Sequence, residues 1–206
     1  ARLGDAGSGE DARGGVVSFD QALGAVLPAI ADGRVDDVRD TVRRADRTGL
    51  EKESIARMGV LFAAALAADD DELALSVARD WVRLDLDSGT YPHQLESQVE
   101  SLLSTLDAET GLALARFLVG RVLEDPEKNS QFVTILPKLT KRFGEGVVEA
   151  EQVRTLLDGY GDKYAFGLGP VLALLPPADR AGALRGVWSK LEATNRAAFL
   201  IDLVND

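Results

Sequence analysis

The chain has 206 residues, 46% hydrophobic and 28% charged, which suits one ordinary folded domain or one array of small repeats. Acids outnumber bases 34 to 23, and the net charge of −11 argues against nucleic-acid phosphates or an anionic membrane surface as partners. With no cysteine and one histidine, His93, the chain cannot build disulfides, thiolate or multi-histidine metal sites, or a cysteine nucleophile.

Residues 1–17 hold five glycines and little that is apolar, so they are expected to form a flexible lead-in. From Ser18 the apolar residues recur at three- and four-residue intervals. A first helix is predicted over Phe19–Ala31, with Leu23, Val26, Leu27 and Ile30 inward; Asp32-Gly33 stops it. Val35–Arg47 follows, with Val35, Val38, Val42 and Ala45 inward. Leu50–Ala68 is predicted as one helix, and Asp69-Asp70-Asp71-Glu72 opens another that runs to about Leu86. After the loop Asp87–Pro92 come His93–Leu106, Ala108–Glu124, Ser130–Phe143 and Val147–Leu157. The glycine joint Gly159-Tyr160-Gly161 precedes Tyr164–Leu175, Asp179–Lys190 and Asn195–Val204. No alternating β-branched run competes, so the expected class is all-α with about 10–11 helices. No apolar run reaches the roughly 18 residues of a membrane span.

A period underlies the helices. Short turns recur at Asp32-Gly33, Asp69-Asp70, Asp107-Ala108, Gly144-Glu145 and Pro177-Ala178, in steps of 37, 38, 37 and 33 residues. The helices that follow carry small or apolar residues at close intervals: Val38/Val42/Ala45, Ala74/Ala78/Trp81 and Ala113/Phe117/Gly120. Such spacing lets two helices approach and pack ridge into groove. Helix pairs with a fixed period, none able to bury its own apolar face, predict a right-handed α-solenoid of antiparallel pairs. Residues 18–206 are read as a single repeat domain excised from a longer protein.

Residues 55–88 resemble a degenerate tetratricopeptide repeat. Met58 and Leu61 stand at that family's early Trp and Leu positions; Ala74, Ala78, Trp81 and Leu84-Asp85 follow its second helix and ending. Ala113, Phe117, Gly120 and Glu124-Asp125-Pro126 echo the pattern, whereas Phe62, Ala65 and Leu86 replace the family's glycine, tyrosine and proline. The resemblance covers about half the chain. It implies a non-enzymatic protein- or peptide-binding scaffold whose groove is formed by the first helix of each pair.

Several segments carry possible chemistry. Asp85–Glu96 has carboxylates at the first, third and twelfth places of a calcium loop, but glycine at the fifth and proline at the eighth; a helix cap and turn explain it equally. Asp69–Glu72 reads as capping acids, and Arg43, Arg44 and Arg47 as cations suited to a helix C-terminus, with a small anion site as the alternative. Glu96 and Glu100 share a helix face and could do acid/base work or simply be solvated. Gly159-x-Gly161 and Gly167-x-Gly169 lack the strand and the Gly-Lys-Ser/Thr of a phosphate loop. Trp81 and Trp188 are expected in the core, with Trp81 filling a gap between helix pairs at a cost of about 3–5 kcal/mol if cut to alanine.

The strongest binding candidates are two uncharged or basic stripes. Gln94, Gln98, Ser101 and Thr105 lie beside the predicted buried stripe of one helix; Gln131, Thr134, Lys138 and Lys141 lie beside that of its equivalent one period on. The expectation is a shared peptide groove with a locally positive end, taking a ligand's carboxylate or acidic segment. No cofactor, metal or catalytic residue is expected. Two other classes stay open: a small-ligand receptor or enzyme domain with a pocket near residues 160–169, and a structural spacer.

Overall fold

The computed structural model describes residues 15–89, 91–125, 129, 132–159 and 168–205. These are all-helical, 79% helix with no strand, and the only bridge among them is an isolated parallel one between Val17 and Ala45. In chain order the helices are α1 (Phe19–Ala31), α2 (Val35–Arg44), α3 (Lys52–Ile55), α4 (Met58–Ala67), α5 (Asp71–Asp87), α6 (Pro92–Thr105), α7 (Ala108–Glu124), α8 (Ile135–Phe143), α9 (Ala150–Gly159), α10 (Leu168–Ala173), α11 (Pro177–Lys190) and α12 (Ala193–Asn205). The contacts divide the chain, read from sequence as one domain, into two compact units that meet within α5, Ala1–Trp81 and Val82–Asp206. Of the predicted lead-in, residues 1–14 lie outside the described residues.

In the first unit α1, α2 and α4 pack on one another. Ser18 caps α1 with a reciprocal box: its hydroxyl accepts from the Gln21 backbone, and the Gln21 side chain accepts from the Ser18 backbone. The core face of α1 is Phe19, Ala22, Val26 and Ala29, not the predicted Leu23/Val26/Leu27/Ile30 stripe. Two alanines at that spacing let α2 and α4 come close, and this turns Leu27 outward to 58% exposure. On α2, Val38 and Val42 are buried, whereas Val35 is exposed at the first turn. The predicted Leu50–Ala68 helix breaks at Ala56-Arg57 into α3 and α4. Asp70 is the capping acid of the Asp69–Glu72 run, accepting from the Leu73 backbone at 2.9 Å.

Trp81 differs from expectation. It is part-exposed, and its ring lies against α4, where a methyl group on Gly59 would meet Trp81 Cη2 at 2.9 Å. The ring occupies the space that Gly59 leaves open beside α4 without being fully buried. Trp188 is likewise part-exposed, with the Arg196 guanidinium 5.3 Å above its ring.

In the second unit, Asp107 caps α7 by accepting from the Glu109 and Thr110 backbones. A methyl group on Gly111 would meet Phe143 at an ordinary 3.5 Å, so the start of α7 and the end of α8 lie close together. α7 packs on α6 and α8, α10 on α8 and α12, and α9 on α11. The core runs through Leu95, Val99 and Leu102 of α6, Leu114 and Leu118 of α7, Leu136 and Leu139 of α8, Leu156 of α9, Val171 of α10 and Phe199 of α12. Among the described residues no helix is long and apolar enough to cross a membrane.

Candidate functional site

α6 and α8 are joined side by side at two levels. Near the start of each, Glu96 accepts from the Thr134 hydroxyl at 2.7 Å and from Lys138 Nζ at 2.6 Å. Seven residues along α6, the Leu103 carbonyl accepts from Arg142 Nη2 at 2.7 Å, four residues beyond Lys138. Both links advance in the same chain direction, so the two helices run parallel. Between them lies a cleft of about 460 Å³. Its floor is the edges of Val99, Leu103, Ile135 and Leu139, and its rim is Glu96, Glu100, Lys138, Lys141 and Arg142.

The charges on this rim are not equivalent. Burial alone pushes the Glu96 carboxyl up, but hydrogen bonds from Lys138 and Thr134 and the positive charge of Lys138 outweigh it, leaving the carboxyl below its ordinary value. Lys138 is thereby committed to Glu96. Lys141 and Arg142 sit in the last turn of α8, where the helix dipole favours cations, and neither has a carboxylate partner among the described residues. The cleft therefore carries, beside its aliphatic floor, two cations without a carboxylate partner among the described residues, with Glu100 on the same rim.

The predicted groove residues separate into two groups. Thr134, Lys138 and Lys141 face α6 along the cleft, while Gln131 lies outside the described residues. At about 100° per residue, Gln94, Gln98, Ser101 and Thr105 lie roughly 140–200° around α6 from Glu96, on the side turned away from α8. Gln94, Ser101 and Thr105 are exposed there, and Thr105 donates to the Leu102 carbonyl. Gln98 is part-buried, with its Nε2 lacking a hydrogen-bond partner. The α6 wall of the cleft is made instead by Glu96, Val99, Glu100 and Leu103. The signal for that wall was the carboxylate pair Glu96/Glu100 beside the buried stripe, a pair the sequence tied to acid/base chemistry or solvation.

The other sequence candidates fall elsewhere. His93 is exposed and stacks on Tyr91 at 6.0 Å between ring centres. Asp85 is buried and Asp87 pairs with Arg121, and no group of acids or His able to hold a metal gathers among the described residues. Arg43 binds Asp70 at 2.7 Å, Arg44 binds Asp40 at 3.1 Å and Arg47 binds Asp80 at 2.8 Å, so all three cations of the possible anion site are engaged with carboxylates. Of the glycine pairs, Gly159 ends α9 and Gly169 is buried in α10; Gly161, Gly167 and most of the suggested 160–169 pocket lie outside the described residues. A second cleft of about 440 Å³ lies between α9 and α11, walled by Ala181, Gly182 and Gly186 and bordered by the Arg154–Asp179 pair at 2.5 Å.

Fold and site together define a chain whose described residues are all-helical, with an aliphatic-floored cleft between two parallel helices. No protein-family model, curated protein or solved structure matches it.

Proposed function

We propose that the chain is a non-enzymatic scaffold of the tetratricopeptide-like α-solenoid type that binds a protein or peptide segment in the α6–α8 cleft. The observation that carries this reading is the cleft itself: two parallel helices, α6 and α8, an aliphatic floor, and cations without carboxylate partners among the described residues at one end. The series α8–α10–α12, together with α9 against α11, supports stacked antiparallel pairs, since first helices neighbour first helices and second neighbour second. The ligand is an extended segment bearing an apolar side chain for the floor and a carboxylate for Lys141 and Arg142. The acidic remainder of the protein repels such a segment elsewhere and so concentrates it on this end of α8.

The test is selection of a displayed library of random peptides on the immobilised chain. Enriched sequences are expected to pair an acidic with a bulky apolar residue. They should lose binding to the Lys141→Glu variant while its thermal midpoint stays unchanged. A library that enriches nothing, or peptides indifferent to Lys141→Glu, would remove the cleft from the functional account.

A further inference from the structure

The α6–α8 cleft is bridged at two levels and open between them. At one level the Glu96 carboxylate accepts from the Thr134 hydroxyl and Lys138 Nζ; at the other the Leu103 carbonyl accepts from Arg142. Seven residues of α6 separate the two links, about 10 Å at 1.5 Å per residue. Beneath this opening lies the floor of Val99, Leu103, Ile135 and Leu139. An extended chain lying along the cleft would fit only about three residues between the links, at roughly 3.3 Å each. A chain crossing the cleft takes up about 5 Å of the opening, the width of one strand, and can drop a side chain between the helices.

The mouth of this opening carries one acid and one base, on opposite walls. Glu100 lies four residues past Glu96, and Lys141 three past Lys138, so they stand about 6 Å and about 4.5 Å beyond the same link, nearly level with each other. At about 100° per residue, Glu100 turns roughly 40° from Glu96 and Lys141 roughly 60° from Lys138, both away from the floor. They flank the mouth without meeting: both are exposed, and neither has an oppositely charged partner among the described residues. The other rim charges are held. Lys138 is committed to Glu96, and Arg142 to the Leu103 carbonyl, with its guanidinium 5.6 Å over the Phe143 ring.

Building on the scaffold reading above, on which this rests, we propose that the bound segment crosses the cleft at the level of Glu100 and Lys141. An apolar residue enters the floor, a basic residue lies on the Glu100 side and an acidic residue on the Lys141 side. In a crossing chain the residues before and after the anchor pass over opposite walls, so the recognised core is a short base–apolar–acid run in one chain direction. A segment with acids on both sides would set one of them against Glu100, and a segment with bases on both sides would set one against Lys141. Glu100 is thus the specificity-determining residue: it makes a site for acidic, apolar segments read the order of their charges.

The test is a displayed peptide library with leucine fixed at its centre and random residues on both sides. It is selected in parallel on the full wild-type chain, on Glu100→Lys and on the charge swap Glu100→Lys/Lys141→Glu, which keeps the net charge of the protein. Both positions are exposed, so circular dichroism and thermal midpoints should match the wild type. Wild-type selections are expected to place a base on one side of the leucine and an acid on the other, in one order. Glu100→Lys should erase the base and keep the acid, and the swap should enrich the reverse order. Peptides from the wild-type selection should bind the swap about tenfold more weakly, two surface attractions having become two repulsions. An acid beside leucine with no base, a base preference that survives Glu100→Lys, or an order unchanged by the swap would each overturn this inference and leave the cleft as a binding site. Wild-type selections that enrich nothing would overturn the scaffold reading along with it.

Discussion

The basic ends of α2 and α8 read alike in sequence and do opposite things. Arg39 and Arg43 both reach Asp70, at 3.8 and 2.7 Å, and Arg39 also donates to the Ala68 carbonyl. Arg47, just past the helix, reaches Asp80, the Ser76 hydroxyl and the Val42 carbonyl. These arginines tie α2 to the turn after α4 and to α5. At the end of α8 the matching cations pair with no acid among the described residues: Lys141 lines the cleft and Arg142 donates to a backbone carbonyl of α6. A helix C-terminus attracts cations through its dipole either way. Whether they become clamps depends on whether a carboxylate of the neighbouring helix lies within reach: α6 presents Glu96 and Glu100 to the cleft, but Glu96 pairs with Lys138.

The comparison assumes that the interiors behind the two ends are equally tight, and this can be broken first. Leu61 in α4 and Leu136 in α8 are both fully buried. Leu61→Ala and Leu136→Ala should each cost about 3–5 kcal/mol in chemical denaturation. A loss near 1 kcal/mol for Leu136→Ala would mean that α8 is loosely packed, and the comparison between the two helix ends would then fail.

The clamp itself comes next. Arg47 is 14% exposed and its partner Asp80 23%, so Arg47→Ala should lower stability by about 2 kcal/mol, through the lost ion pair and the lost packing of its stem. Lys141→Ala, on the same measurement, should stay within about 0.5 kcal/mol. Equal effects would erase the distinction between the two helix ends.

Glycines sharpen the same contrast on a smaller scale. Gly59→Ala drives a methyl group into Trp81 and should cost about 1–2 kcal/mol, which the part-exposed ring relieves in part by swinging outward. Trp81→Ala should correspondingly cost about 2–3 kcal/mol, less than full burial would demand. Gly120, exposed within α7 with open space where its side chain would stand, should gain about 0.5–1 kcal/mol on becoming alanine. Thermal midpoints of the three variants check the order.

The smallest effect concerns the link that closes the cleft. The Glu96 carboxyl is held below its ordinary value near 4.5, so folding favours the ionised form. Its contribution to stability is complete above that ordinary value and is lost as pH falls through the lowered one. The stability difference between the wild type and Glu96→Gln should therefore be flat at neutral pH and shrink in acid, and a carboxyl titration followed by NMR should place Glu96 below its ordinary value. A difference that grows on acidification would show that Glu96 opposes folding and that Lys138 is not committed to it.

Much of the chain's helical content is legible in its order of residues because it follows from local causes. Apolar spacing, capping acids and glycine turns act within a few positions, so α7 begins and ends where its sequence predicts, and the turns at Asp32, Asp69 and Asp107 fall between helices. What local pattern cannot supply is which side of a helix meets a neighbour once both sides are plausible. On α1 the apolar residues support two stripes, and only the approach of α2 and α4 selects Phe19, Ala22, Val26 and Ala29 over Leu23, Leu27 and Ile30. On α6 the stripe of Gln94, Gln98, Ser101 and Thr105 was visible, but its direction was not; α8 docks on the opposite side, against Glu96 and Leu103. Sequence by itself determined the helical class, the turns and the acidic balance, because backbone capping and side-chain periodicity are encoded within single helices. The cleft, the pairing of Glu96 with Lys138 and the link from Arg142 to the Leu103 carbonyl were decided only by tertiary structure, because each depends on a partner about forty residues away whose orientation no local interaction specifies.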